Sequence, residues 1–184
     1  MSEAEIAGAG AGEDRQVYKV MIDAPIEVVW NTLVKTDEVL PFFFGAVCEA
    51  EDGALKPGNG MRMVTPNRKY ASVVGEVLEF APPHRYAHTF KFTQWDDDYC
   101  TVTYELRETP EGVEFSLVTT GVPAGTKTAK SMQQGGGFIT QNLKSLVETG
   151  KPGFSGKMVM MLGPVMGVMT PAKCRIENWP LKSQ

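Results

Sequence analysis

From residue 16 to residue 120, apolar side chains recur at every second position in short runs. Gln16 to Ile22 sets Val17, Lys19 and Met21 against Tyr18, Val20 and Ile22, which predicts a first strand. Similar runs at 46–51, 61–65, 70–80, 85–95, 99–107 and 113–120 predict further strands. Turn-forming stretches separate them, among them Pro57-Gly58-Asn59-Gly60, Pro66-Asn67-Arg68, Ala81-Pro82-Pro83, Asp96-Asp97-Asp98 and Pro110-Glu111-Gly112. From Thr126 to Glu148 the period changes. Met132, Ile139, Leu143 and Leu146 fall at three-and-four spacing, with Gly136 holding the intervening place, so a long helix with one buried stripe is expected. An earlier helix opens at Asp23-Ala24-Pro25, with Pro25 in the first turn and Asp23 or Ala24 as cap, and buries Ile26, Val29, Trp30 and Leu33. A second short helical turn is expected from Thr36, running into Pro41-Phe42-Phe43-Phe44-Gly45. Six or seven antiparallel strands, two short helices and one long late helix predict an α+β fold. The expected form is a curved sheet gripping the 126–148 helix, with a pocket between them.

Candidate chemistry concentrates on one predicted strand. Tyr86, His88, Phe90 and Phe92 share a face, and Arg85, Ala87, Thr89 and Lys91 share the other, so the aromatic set points inward. On the next strand Val102, Tyr104 and Leu106 form the inward set. A histidine beside a tyrosine in an apolar interior can orient a carbonyl or hydroxyl, or act as a base near neutral pH. A core histidine satisfied by a tyrosine or a backbone carbonyl is favoured over catalysis, because no carboxylate is placed to orient the ring. Trp30, the run Phe42, Phe43 and Phe44, and Met61 and Met63 are further candidates for the pocket wall. Phe115, Leu117, Phe138 and Asn142 complete that wall; each alone reads as core, and together they fit a ligand site. Glu76 is a candidate acid if it points inward, and a rim or solvent position is favoured. Gly135-Gly136-Gly137 costs the long helix roughly 1 kcal/mol per glycine. That cost implies either close helix–strand packing or a bent half-helix that gates the pocket.

Composition narrows the functions. The 184-residue chain carries 18 cations against 22 acids, a net charge of -4, and shows no basic stripe, which excludes a nucleic-acid footprint. Cys48, Cys100 and Cys174 lie far apart, as expected of reduced thiols in a cytoplasmic protein. With two histidines, His84 and His88, and neither CxxC nor HxxxH, no metal site and no cofactor are expected. The acidic, glycine-rich stretch 1–15 reads as a flexible leader, neither a signal peptide nor a dinucleotide loop. Gly150 to Lys157 resembles a phosphate loop but is one residue too long, has Met158 in the Ser/Thr place and follows no strand. The segment 158–169 is almost wholly apolar yet too short to span a membrane, and Gly163-Pro164 interrupts it. It is expected to fold back on the domain, cover the pocket mouth, join a homodimer through 157–184 or touch lipid; packing within the chain or dimer is favoured. Residues 171–180 read as an extended end anchored by Trp179.

Several motifs in their order resemble a known superfamily. These are Ile22-Asp23-Ala24-Pro25, Val29-Trp30, Pro57-Gly58-Asn59-Gly60, the stretch Gly75 to Arg85, and Gly137-Phe138 followed by Leu143, Leu146 and Glu148. Together they resemble the SRPBCC (START/Bet v 1-like) superfamily, and within it the branch related to the C-terminal domain of the Hsp90 ATPase activator. The resemblance covers about residues 16–150 and implies a helix-grip fold around an apolar cavity. Gly137-Phe138 departs from the Gly-Trp usual in relatives, and the extension 151–184 is more than the minimal fold needs. The domain expectation is therefore a leader (1–15), a ligand-binding helix-grip domain (16–150) and a methionine-rich extension (151–184). The first functional expectation is a binder of an apolar, lipid-like or aromatic small molecule. The second, implied by the resemblance, is a cyclase or dehydratase with His88 and Tyr104 as acid–base pair. An Hsp90-activator-like interaction role ranks third, since fold similarity alone does not carry function.

Overall fold

The computed structural model describes residues 15–166 and 170–182, with residues 162–166 given by backbone alone. The leader expected over 1–15 thus lies outside the described residues except for Arg15, as do residues 167–169 of the apolar segment. Chain order is β1 (Gln16–Ile22), α1 (Ile26–Leu33), β2 (Val39–Leu40), β3 (Ala46–Ala50), β4 (Gly60–Val64) and β5 (Ala71–Ala81). Then come β6 (Arg85–Phe92), β7 (Cys100–Thr109), β8 (Gly112–Thr120), α2 (Lys127–Thr149) and α3 (Phe154–Met166). The strands form one antiparallel sheet in the order β1-β8-β7-β6-β5-β4-β3-β2, and α2 lies against β1 and β8.

The strand beyond the six or seven expected is β2. No helical turn forms at Thr36; instead the Asp37 N–H donates to the Cys48 carbonyl at 2.8 Å, and Arg68 donates to the Asp37 carboxylate at 3.2 Å. With Asp37 held at a φ of 60°, the chain leaves the helical region and pairs Val39 and Leu40 with β3.

Helix α2 begins and ends where its local chemistry requires. Thr126 Oγ1 accepts from the Ala129 N–H at 3.1 Å, and Gly150 closes the helix at a φ of 73° with its N–H on the Leu146 carbonyl. Its buried stripe includes Met132, Gly136, Ile139 and Leu143, as the spacing predicts. Glu148 ties its end to the β1–α1 junction, accepting from the Asp23 N–H at 2.8 Å and from Lys144, which also donates to the Met21 carbonyl. Helix α1 buries the predicted Ile26, Val29, Trp30 and Leu33, but its cap is Pro25, in extended backbone and without a side-chain cap bond.

The inner face of the sheet, α1 and α2 enclose one continuous core running from Ile22 to Leu143. A second, smaller core lies on the outer face. There Val47, Val64, Ala71 and Val74 are covered by Ile176 and Trp179 of the C-terminal end. Arg62 fastens this strap, donating to the Trp179 carbonyl at 2.7 Å and to Glu49 at 2.8 Å. The Ile176 N–H donates to the Lys69 carbonyl at 3.0 Å, and the Lys182 N–H to Glu51 at 3.0 Å. Trp179 is thus an anchor, as expected, and β3 is buried on both faces.

Candidate functional site

The alternation predicted for β6 holds. Tyr86, His88 and Phe90 are buried on the inner face, and Phe92 packs against the same core. Pairing sets Tyr86 opposite Tyr104 and His88 opposite Val102, and Val102 opposite Thr119 on β8. Tyr86, His88 and Tyr104 form a triangle of rings, with centroids 5.1 Å (Tyr86–His88), 5.9 Å (His88–Tyr104) and 5.7 Å (Tyr86–Tyr104) apart. Phe115 stacks on Tyr104 at 5.9 Å.

The orientation of His88 is marked by a contact within its own strand. Its Nδ1 lies 2.8 Å from the Thr89 carbonyl oxygen, which can only accept, so Nδ1 carries the proton and Nε2 presents a lone pair. Gly75 on β5 permits that geometry, because a Cβ there would stand 1.8 Å from the same carbonyl oxygen. Inside the core, His88 Nε2, the Tyr86 hydroxyl and the Thr119 hydroxyl have no hydrogen-bond partner among the described residues. An acceptor and two hydroxyls thus share the inner surface. Thr119 lies two strand spacings from His88, about 10 Å. It was missed as a candidate, though it continues the period-two row of Phe115 and Leu117.

Burial governs the protonation states. Desolvation lowers the His88 pKa to about 4 against the opposing pull of the Thr89 carbonyl, so at neutral pH the ring is uncharged. Desolvation raises Tyr86 well above its ordinary range, with smaller contributions from Cys48 and Tyr104, and burial likewise raises Tyr104. No carboxylate offsets the desolvation of the imidazole, which agrees with the preference for a core histidine over a base working near neutral pH. The site offers neutral hydrogen-bonding groups.

The remaining candidates divide. Trp30, Phe42, Phe43, Met61, Met63 and Phe115 belong to the core. Phe44 is 45% exposed, at a φ of 52°, and stacks on Phe138 at 4.2 Å on the outside of α2. Asn142 is buried but turned away from the sheet, with its amide donating to the Phe138 carbonyl at 2.8 Å and to Ser155 Oγ at 3.2 Å. Glu76 is exposed, and its N–H donates to Thr89 Oγ1 at 2.8 Å. It borders a hollow of about 350 Å³ on the outer face with Glu51, Tyr99 and Lys182. Another hollow, about 300 Å³, lies between α1, residues 39–42 and Leu146. Neither is lined by Tyr86, His88 or Thr119. Among the described residues no group of three or more His, Cys, Asp or Glu side chains could hold a metal ion, and no helix is long and apolar enough to cross a membrane.

The family model described as activator of Hsp90 ATPase homolog 1-like protein matches residues 23–148. The chain belongs to that family. The match takes in the elements from α1 to the last turn of α2, and it stops before α3 and the outer strap. No protein of curated function matches the chain. Among solved structures, an HSP90 activator from Plasmodium falciparum is similar at 24% identity and a TM-score of 0.56, with 76% of this chain and 98% of that one covered. A protein of Mesorhizobium loti reaches a TM-score of 0.59 at 19% identity, covering 72% and 96% of the two chains. A protein in the dynemicin biosynthetic locus also reaches 0.59, at 22% identity, covering 77% of this chain and 49% of that one. At these identities the likeness is one of fold, the helix-grip arrangement described above.

Proposed function

We propose that the protein holds a small apolar molecule, lipid-like or aromatic, between the sheet and α2, with its polar end on Tyr86 and His88. In this reading residues 16–150 are the ligand-binding unit, residues 151–184 are an appendage, and the three free, buried cysteines fit a cytoplasmic setting. One observation carries the proposal: Tyr86 and His88 bury an unpartnered hydroxyl and an unpartnered imidazole nitrogen side by side in an apolar interior. Each such group costs about 1–3 kcal/mol when unsatisfied. A ligand hydroxyl meeting both removes that cost, accepting from the tyrosine and donating to His88 Nε2, whereas a carbonyl serves the tyrosine alone. The neutral histidine favours holding over acid–base turnover, so the cyclase or dehydratase reading ranks lower. An Hsp90-activator role is the second reading, supported by the family description and by the Plasmodium structure; stimulation of an Hsp90-type ATPase by the purified chain tests it.

Native mass spectrometry of freshly purified protein, followed by solvent extraction, tests the first reading. A retained apolar molecule bearing a hydroxyl or carbonyl is expected, and Y86F/H88F should lose it while keeping the fold. Protein that purifies empty and shows no change in the His88 ring resonances when titrated with naphthol or oleate would overturn it.

A further inference from the structure

Helix α3 is poorly buried for so apolar a segment. Its contact with the domain is made near Gly156, where a Cβ would stand 2.3 Å from Asn142 Oδ1, and at Met160, whose Cγ lies 3.5 Å from the Cβ position of Gly45. Phe154 is 79% exposed and Met161 75%, and Met158 is exposed beside them. The exposed Phe44, next to Gly45 and stacked on Phe138, extends this apolar surface across α2. The charge around it is one-sided. Lys151 and Lys157 are the charged residues of the stretch 149–166, which holds no acid. Lys151 and Lys157, which flank the start of the helix, are both exposed.

We propose that α3 docks the protein on an anionic lipid surface. Thirteen helical residues reach about 20 Å, too short to cross a bilayer but enough to lie in its interface with Phe154, Met158 and Met161 among the acyl chains. Methionine and phenylalanine supply the apolar contact, and Lys151 and Lys157 meet acidic headgroups. A second copy of the chain fits less well. The stretch 149–166 supplies Lys151 and Lys157 but no acid of its own to pair them across a two-fold contact through α3. The proposal stands apart from interior ligand binding and survives if that reading fails.

The test is flotation of the full-length protein with vesicles of phosphatidylcholine alone and of phosphatidylcholine with phosphatidylglycerol. The wild-type chain should float with the anionic vesicles, and added salt should release it. K151Q/K157Q should weaken that binding about 30-fold. F154S/M161S should abolish it without changing the melting curve, since both side chains already face outward. Failure of the wild-type protein to float, or flotation that survives F154S/M161S, overturns the proposal. So does a dimer that F154S/M161S dissolves while the wild-type chain ignores vesicles, which would assign the face to self-association.

Discussion

Adding one methyl group to α2 should have opposite effects at adjacent positions. At Gly136 a Cβ would fall 2.3, 2.4 and 2.6 Å from three ring atoms of Tyr18 on β1, more than 1 Å inside ordinary carbon contact. The ring is tethered: its hydroxyl donates to Gln16 Oε1 at 2.9 Å and lies 3.2 Å from the Gln133 carbonyl. Moving it sacrifices those bonds, at about 0.5–1.5 kcal/mol each, and overpacks the helix–strand contact at about 1–3 kcal/mol. The gain of about 1 kcal/mol in helix propensity offsets only part of this. Gly136→Ala should therefore destabilise by about 1–5 kcal/mol, and Gly136→Leu by more. Gly137 has nothing within 4 Å of its Cβ position, so Gly137→Ala should keep the propensity gain and stabilise by up to about 1 kcal/mol. Urea midpoints of the two alanine variants decide the matter, because solvent and helix context are nearly shared. Equal shifts in one direction would refute the view that Gly136 exists to admit Tyr18, and would point to helix flexibility as the role of the triplet.

The other predictions concern the two faces of the sheet. His88 is held near a pKa of about 4 when folded and returns to about 6.5 when unfolded, so the unfolded chain binds the extra proton as pH falls. Stability from this group is complete above pH 6.5 and drains away down to about pH 4; about 2 kcal/mol should go between pH 7.5 and pH 5. The lowered carboxylates, Glu51, Glu114 and Glu148, lose their contribution only below their ordinary 4.5, so urea midpoints in this window report the imidazole. H88F should flatten the slope, and an unchanged slope would contradict the buried, neutral ring. On the outer face, Trp179→Ala should cost about 2 kcal/mol, less than for a fully buried tryptophan because the residue keeps part of its surface exposed. Hydrogen exchange should then accelerate in β3 to β5 and stay slow in α2; uniform acceleration would mean that the strap supports the whole domain.

What could be read in the residues was what depends on local period. Alternation from Gln16 to Ile22 and from Arg85 to Phe92 decided which side chains face the core, and three-and-four spacing located the stripe of α2. What could not be read depends on distant partners. The turn at Thr36 looks helical by composition, and only the pull of Cys48 and Arg68 on Asp37 makes it a bend followed by a strand. Asn142 sits on a buried helix position, yet its direction is decided by Ser155, beyond the helix end. Ile176 and Trp179 stand among turn residues with no period to reveal the apolar patch they cover. The close approach of β5 to the Thr89 carbonyl, which Gly75 allows, is likewise invisible in the local pattern.

These distant contacts also separate the roles of the two sheet faces. The family-wide part of the chain, residues 23–148, supplies every inward group of the proposed site, including Tyr86, His88, Tyr104 and Thr119. The extension beyond it contributes none of them. Its last described stretch turns to the outer face, where Ile176 and Trp179 complete a separate core and Glu51 accepts the Lys182 N–H. Glu51 is held below its ordinary carboxylate range chiefly by the Gly60 and Lys182 backbone N–H groups, so the end of the strap is fixed by a charged bond. For a homodimer through 157–184, one of the alternatives for the extension, the apolar sides of Ile176 and Trp179 are already engaged in the chain's own outer core. That leaves α3 as the described part of the extension with an uncovered apolar face, and it places that face beside Phe44 and Phe138, away from the buried polar triangle. Docking through α3 and holding through Tyr86 and His88 are therefore separable, and F154S/M161S and Y86F/H88F should each remove one property and spare the other.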